Sequence, residues 1–121
     1  MSEGLKILIV DDDVNTLTTL TDLLTEDGYR IITATDGKEA LDKVHKEKPD
    51  VTLMDIRLPV LDGYEVCRQL KETEGLTTKI VLYTAYVDAV NVTKARAVGA
   101  DDFLAKTADF SNLRGVIKCL V

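Results

Sequence analysis

Apolar positions in this chain fall into two alternating textures. Short unbroken runs rich in Val, Ile and Leu occur at LKILIV (5–10), RIITAT (30–35), DVTLMD (50–55), KIVLYT (79–84) and DDFLAK (101–106), as expected of strands buried within a sheet. Between them, apolar residues recur at helical spacing. Val14, Leu17, Leu20 and Leu24 share one predicted face, Tyr64, Cys67 and Leu70 a second, and Leu113, Val116, Ile117 and Leu120 a third. The segment 88–98 has the thinnest stripe, Val92, Ala95 and Val98, diluted by β-branched residues. Gly28, Gly75 and Gly99 fall just after periodic stretches, where a helix C-terminus favours a left-handed residue. Gly115 instead lies inside the last stretch, where it costs up to about 1 kcal/mol relative to alanine.

Five strand-then-helix units predict one α/β domain over residues 1–121. Right-handed crossovers then give a doubly wound five-stranded parallel sheet with five helices distributed over both faces. In such a sheet, ligands bind beyond the carboxyl ends of the strands, where the strand order reverses. Those ends carry Asp11 and Asp12, Asp55, Thr84 and Lys106. Each alone is ordinary, since an aspartate after a strand is commonly a cap and a lysine there is commonly solvated. Together, four strands deliver complementary groups to one rim.

Composition narrows the possibilities. A content of 45% apolar residues suffices for one core, and a net charge of −6 argues against nucleic-acid or anionic-membrane binding through the overall field. Cys67 and Cys119 do not make a metal-ligand spacing and need not form a disulfide framework, which fits a reducing cytoplasm. No run approaches the roughly 18 apolar residues of a membrane span, and MSEGLK lacks a signal-peptide core. The expectation is a cytoplasmic protein. The apolar ending KCLV suggests a piece of a longer chain.

Three consecutive aspartates, Asp11, Asp12 and Asp13, repel one another unless a cation, a helix N-terminus or water compensates them. Mg²⁺ suits the set, because it takes oxygen ligands from one or two carboxylates and a phosphoryl oxygen. A carboxylate can attack phosphorus to form an acyl phosphate while a metal ion and a lysine neutralise the equatorial oxygens. A threonine hydroxyl within reach of the new phosphoryl group would sense it.

The segments ILIVDDD, LMDIRLPVLDGYE, VLYTA and GADDFLAK, in this order and spacing, resemble the signatures of two-component response-regulator receiver domains. The resemblance spans nearly the whole chain and implies the flavodoxin-like strand order 2-1-3-4-5. It further implies that Asp55 accepts phosphate and that Asp12 ligates Mg²⁺ directly, with Asp11 contacting the ion through water and the backbone carbonyl of Arg57 completing the ligands. Thr84 and Phe103 resemble the switch pair, and Lys106 the phosphate-binding lysine. Asp13 has no role in that pattern and is expected at the N-terminus of the first helix. Arg57 and Tyr86 stand where side chains flank the phosphoryl group and tune its lifetime. Implied partners are a histidine kinase or phosphotransfer protein, and a downstream protein or output domain reading the fourth helix, fifth strand and fifth helix. Homodimerisation is another form of output; direct nucleic-acid and membrane contacts are not expected.

Thr107 replaces the proline that usually follows the lysine, so the Lys106–Thr107 bond is expected to be trans. Two other readings compete. In a haloacid-dehalogenase-type phosphatase, Asp11 would be the nucleophile and Asp13 the acid or base, but Asn15 departs from that signature and Asp55 is left unexplained. In a degenerate receiver, the same fold would serve only as a non-phosphorylated interaction module.

Overall fold

The structure, a computed structural model, describes residues 4–85, 88–106 and 110–120. Five strands, β1 (Lys6–Val10), β2 (Arg30–Ala34), β3 (Val51–Asp55), β4 (Lys79–Thr84) and β5 (Asp102–Ala105), alternate with five helices. The helices are α1 (Val14–Glu26), α2 (Gly37–Glu47), α3 (Gly63–Glu72), α4 (Ala89–Ala97) and α5 (Ser111–Leu120). All strand pairs are parallel, in the order β2-β1-β3-β4-β5. The expected flavodoxin-like doubly wound sheet is therefore present, and its strands lie within one residue of the ends expected from the apolar runs.

Alternation along the strands divides the interior in two. Leu8, Val10, Met54 and Leu82 face a core with Ala40, Val44, Val66, Cys67, Leu70 and Ala95, contributed by α2, α3 and α4. Ile7, Ile9, Leu53, Val81 and Tyr83 face the opposite core with Leu17, Leu20, Leu24, Leu113 and Ile117, contributed by α1 and α5. With both faces covered, all five residues of β3 are buried, whereas edge strand β5 is only half-buried.

Val14 departs from expectation. It is the first residue of α1 and is 67% exposed, because this first turn starts beyond the end of β1 and projects past the sheet that the later turns cover. Val66 joins the buried face of α3, and Ala95 is buried in thinly amphipathic α4. Aspartates start four helices: Asp13, Asp36, Asp62 and Asp88 accept backbone N–H bonds from Asn15, Glu39, Glu65 and Asn91 at 2.9, 2.7, 2.9 and 2.8 Å. The expectation for Asp13 is met. Both cysteines are free, Cys67 buried and Cys119 exposed. No helix among the described residues is long and apolar enough to cross a membrane.

Candidate functional site

The chain runs from β1 outward to β2 and then returns to add β3 on the other side of β1, so the order reverses between β1 and β3. The carboxyl ends of these two strands present Asp11, Asp12 and Asp55. Each offers one carboxylate oxygen within 4.8 Å of the others, with Asp11 and Asp55 buried and Asp12 exposed. The loop after β3 stays close because Gly63 lacks a side chain: a Cβ there would lie 2.5 Å from the Asp55 carbonyl oxygen. The Gly63 N–H donates to the Ile56 carbonyl at 2.9 Å.

Lys106 follows β5 and is drawn in by its backbone N–H, which donates to the Thr84 carbonyl at 2.8 Å. Its ammonium donates to Asp55 Oδ2 at 2.8 Å and to Asp11 Oδ2 at 3.0 Å. Residues separated by up to 95 positions thus meet at one point. Asp55 Oδ1 accepts the Arg57 N–H at 3.0 Å. Asp11 Oδ1 accepts the Asp13 N–H at 2.9 Å, and Oδ2 also accepts the Tyr83 hydroxyl at 2.9 Å.

Electrostatics follow from this packing. Burial raises the pKa of Asp55, opposed by the Lys106 hydrogen bond, the Arg57 N–H and the Lys106 charge, while the charge of Asp11 adds to the rise. Burial alone would lower Lys106, but hydrogen bonds and charge from both carboxylates hold its pKa above the ordinary lysine value. One ammonium thus serves two carboxylates and gains from both. Tyr83 is pushed well up, by burial first and then by the charge and hydrogen bond of Asp11, so its phenol remains a donor.

Thr84 is buried at the end of β4. Phe103, half-buried in β5, lines a cavity of about 330 Å³ with Val92, Ala95 and Arg96 of α4. Arg57 is exposed and lines a groove of about 520 Å³ with Asp12, Tyr64 and Lys94. The structure therefore brings Asp11, Asp12, Asp55 and Lys106 together, with Arg57 beside them. Tyr86 and the Lys106–Thr107 bond fall outside the described residues.

Sequence reasoning missed Tyr83. The signal was present, because a buried tyrosine hydroxyl requires a partner and Tyr83 ends an otherwise aliphatic run next to the acidic rim.

Hard oxygen donors from three clustered carboxylates, two of them buried, are chemically suited to Mg²⁺. Residues 7–118 match the family model "Response regulator receiver domain". The chain is 39% identical over 116 residues to the alkaline phosphatase synthesis transcriptional regulatory protein PhoP of Bacillus subtilis, covering 96% of this chain and 48% of PhoP. It is 33% identical to sporulation initiation phosphotransferase F of the same organism, covering 93% of this chain and 90% of the relative. The chain spans about half the length of the first curated relatives it matches. Among solved structures, the response regulator TrrA of Thermotoga maritima in complex with Mg²⁺-BeF superposes with a TM-score of 0.87 at 34% identity, covering 97% of this chain and 99% of TrrA. Receiver domains bind Mg²⁺ at their acidic pocket. The chain therefore belongs to the response regulator receiver family, whose members are phosphoacceptor switches of two-component signalling, phosphorylated by histidine kinases, and not enzymes that turn over an external substrate.

Proposed function

We propose that Asp55 is the phosphoacceptor of this receiver and that Asp11, Asp12, Asp55 and the Arg57 backbone carbonyl hold Mg²⁺. The observation that carries this reading is the Lys106 ammonium bridging Asp55 at 2.8 Å and Asp11 at 3.0 Å within the acidic cluster. A carboxylate oxygen of Asp55 attacks the phosphorus of a phosphohistidine or a small acyl phosphate. The bond from phosphorus to the donor breaks, and its electron pair leaves with the imidazole or carboxylate. Bound Mg²⁺ supplies positive charge to the phosphoryl oxygens. Lys106 supplies a second cation and turns from the carboxylates to the new phosphoryl group.

Thr84 then donates its hydroxyl to the phosphoryl group, and Phe103 repacks at the α4–β5 cavity, shifting an existing equilibrium of the α4, β5 and α5 face. That face engages a downstream protein, an output domain or a second copy. Arg57 and Tyr86 shield the acyl phosphate from water and lengthen its lifetime; an Arg57→Ala, Tyr86→Ala double variant is expected to lose the phosphoryl group faster. Residues 1–121 act as one receiver unit, in the cytoplasm where a histidine kinase or phosphotransfer protein supplies the phosphate.

The phosphatase alternative is disfavoured by the surroundings of Asp11, which is fully buried and already accepts from Lys106, Tyr83 and the Asp13 N–H. Intact-mass measurement after incubation with acetyl phosphate tests the proposal. One phosphoryl group is expected with Mg²⁺ and none with EDTA; no adduct under either condition would refute it.

A further inference from the structure

We infer that Tyr83 is a positioning residue of the metal site, its buried hydroxyl fixing the Asp11 carboxylate toward the ion. The inference rests on the proposal that Asp11, Asp12 and Asp55 hold Mg²⁺.

The Tyr83 ring is fully buried in the core covered by α1 and α5, packed with Ile9, Leu17, Leu20 and Leu113. Packing therefore fixes where the hydroxyl lies. It donates to Asp11 Oδ2 at 2.9 Å, and the Asp13 N–H donates to Oδ1 at 2.9 Å, so the carboxylate plane is held from both sides. The third donor, Lys106, differs in kind. Its side chain is 21% exposed on a flexible stem, its Nζ lies 5.0 Å from the centre of the Tyr83 ring, and Asp55 shares its ammonium.

When Lys106 turns toward a phosphoryl group on Asp55, Asp11 loses that donor. Tyr83 and the Asp13 N–H remain. Hydrogen bonds to a carboxylate that holds a metal, directly or through its bound water, set its orientation, and removing such a partner commonly weakens metal binding about ten-fold or more. The hydroxyl also couples the metal site to β4 at the residue before Thr84. A phenol bonded to a carboxylate changes its near-ultraviolet absorption when that carboxylate engages a cation, so Tyr83 should report binding directly.

The test titrates MgCl₂ into the whole chain and its Tyr83→Phe variant, following melting temperature and near-ultraviolet difference absorbance. Tyr83→Phe retains the ring. The expected result is a folded variant whose half-saturating Mg²⁺ concentration is raised about ten-fold. The wild-type difference band should persist in Tyr29→Phe, Tyr64→Phe and Tyr86→Phe and vanish in Tyr83→Phe. Half-saturation of the variant within about two-fold of wild type overturns the inference, as does a band that survives in Tyr83→Phe. Should the variant not fold, absence of the band in any one of Tyr29→Phe, Tyr64→Phe and Tyr86→Phe overturns it and persistence in all three supports it. A wild-type chain on which Mg²⁺ moves neither signal refutes the metal-site proposal itself, and the role of Tyr83 with it.

Discussion

Lys106 holds its ammonium nitrogen 2.8 Å from Asp55 Oδ2, and the same nitrogen reaches Asp11 Oδ2 at 3.0 Å. Two buried carboxylates thus share one positive charge. Replacing Lys106 with Met keeps most of the stem but leaves both carboxylates facing each other. Denaturant unfolding at neutral pH is expected to show a loss of about 3 kcal/mol, typical of removing one partner from a buried ion pair. Millimolar Mg²⁺ should narrow the difference from wild type by supplying the missing charge.

Asp101 anchors the turn before β5. Its Oδ2 accepts the Ile80 N–H at 2.7 Å and the Lys71 ammonium at 2.8 Å. Burial alone would raise its pKa, but the Lys71 hydrogen bond, the Ile80 N–H and nearby lysine charge outweigh burial and lower it. Folding therefore favours the ionised form. The contribution is fully present above the ordinary carboxylate pKa and is lost as pH falls through that value and past the lower folded one. Asp101→Asn should cost about 1 kcal/mol at neutral pH, and acid titration of stability should show the gap from wild type closing.

Two backbone positions offer stabilisation. Gly115 lies in α5 with open space where a Cβ would be, so Gly115→Ala should stabilise by about 0.5 to 1 kcal/mol. Val60, in the loop after β3, has φ 73°, a region β-branched residues avoid, and it is 73% exposed. Val60→Gly should raise the melting temperature by relieving about 1 kcal/mol of strain. Thermal unfolding checks both.

The strands and the rim were legible because burial on both faces leaves unbroken aliphatic runs, and each run ends where polarity begins. Asp11, Asp12, Asp55 and Lys106 could be nominated for that reason. The helical faces were less legible. Val14 has the right spacing but starts beyond the sheet, and Val66 is buried although the expected stripe omitted it. The aspartates at 36, 62 and 88 are helix caps, a local role that residue type alone does not separate from ligation. Tyr83 was missed because its function depends on the neighbouring strand: parallel pairing sets Asp55 opposite Tyr83, while the Tyr83 hydroxyl reaches past to Asp11. Periodicity reports which face a residue occupies, not which atom its tip will meet.

Reductive trapping locates the phosphoryl group proposed for Asp55 residue by residue. After reaction with acetyl phosphate and Mg²⁺, borohydride converts an aspartyl phosphate to the corresponding alcohol without changing other carboxylates. Trypsin separates the candidates, because Asp11 lies in peptide 7–30 and Asp55 in peptide 47–57. The expected result is a reduced residue at Asp55 in peptide 47–57, assigned by fragmentation, with peptide 7–30 unchanged. Reduction at Asp11, or at neither aspartate, would contradict it.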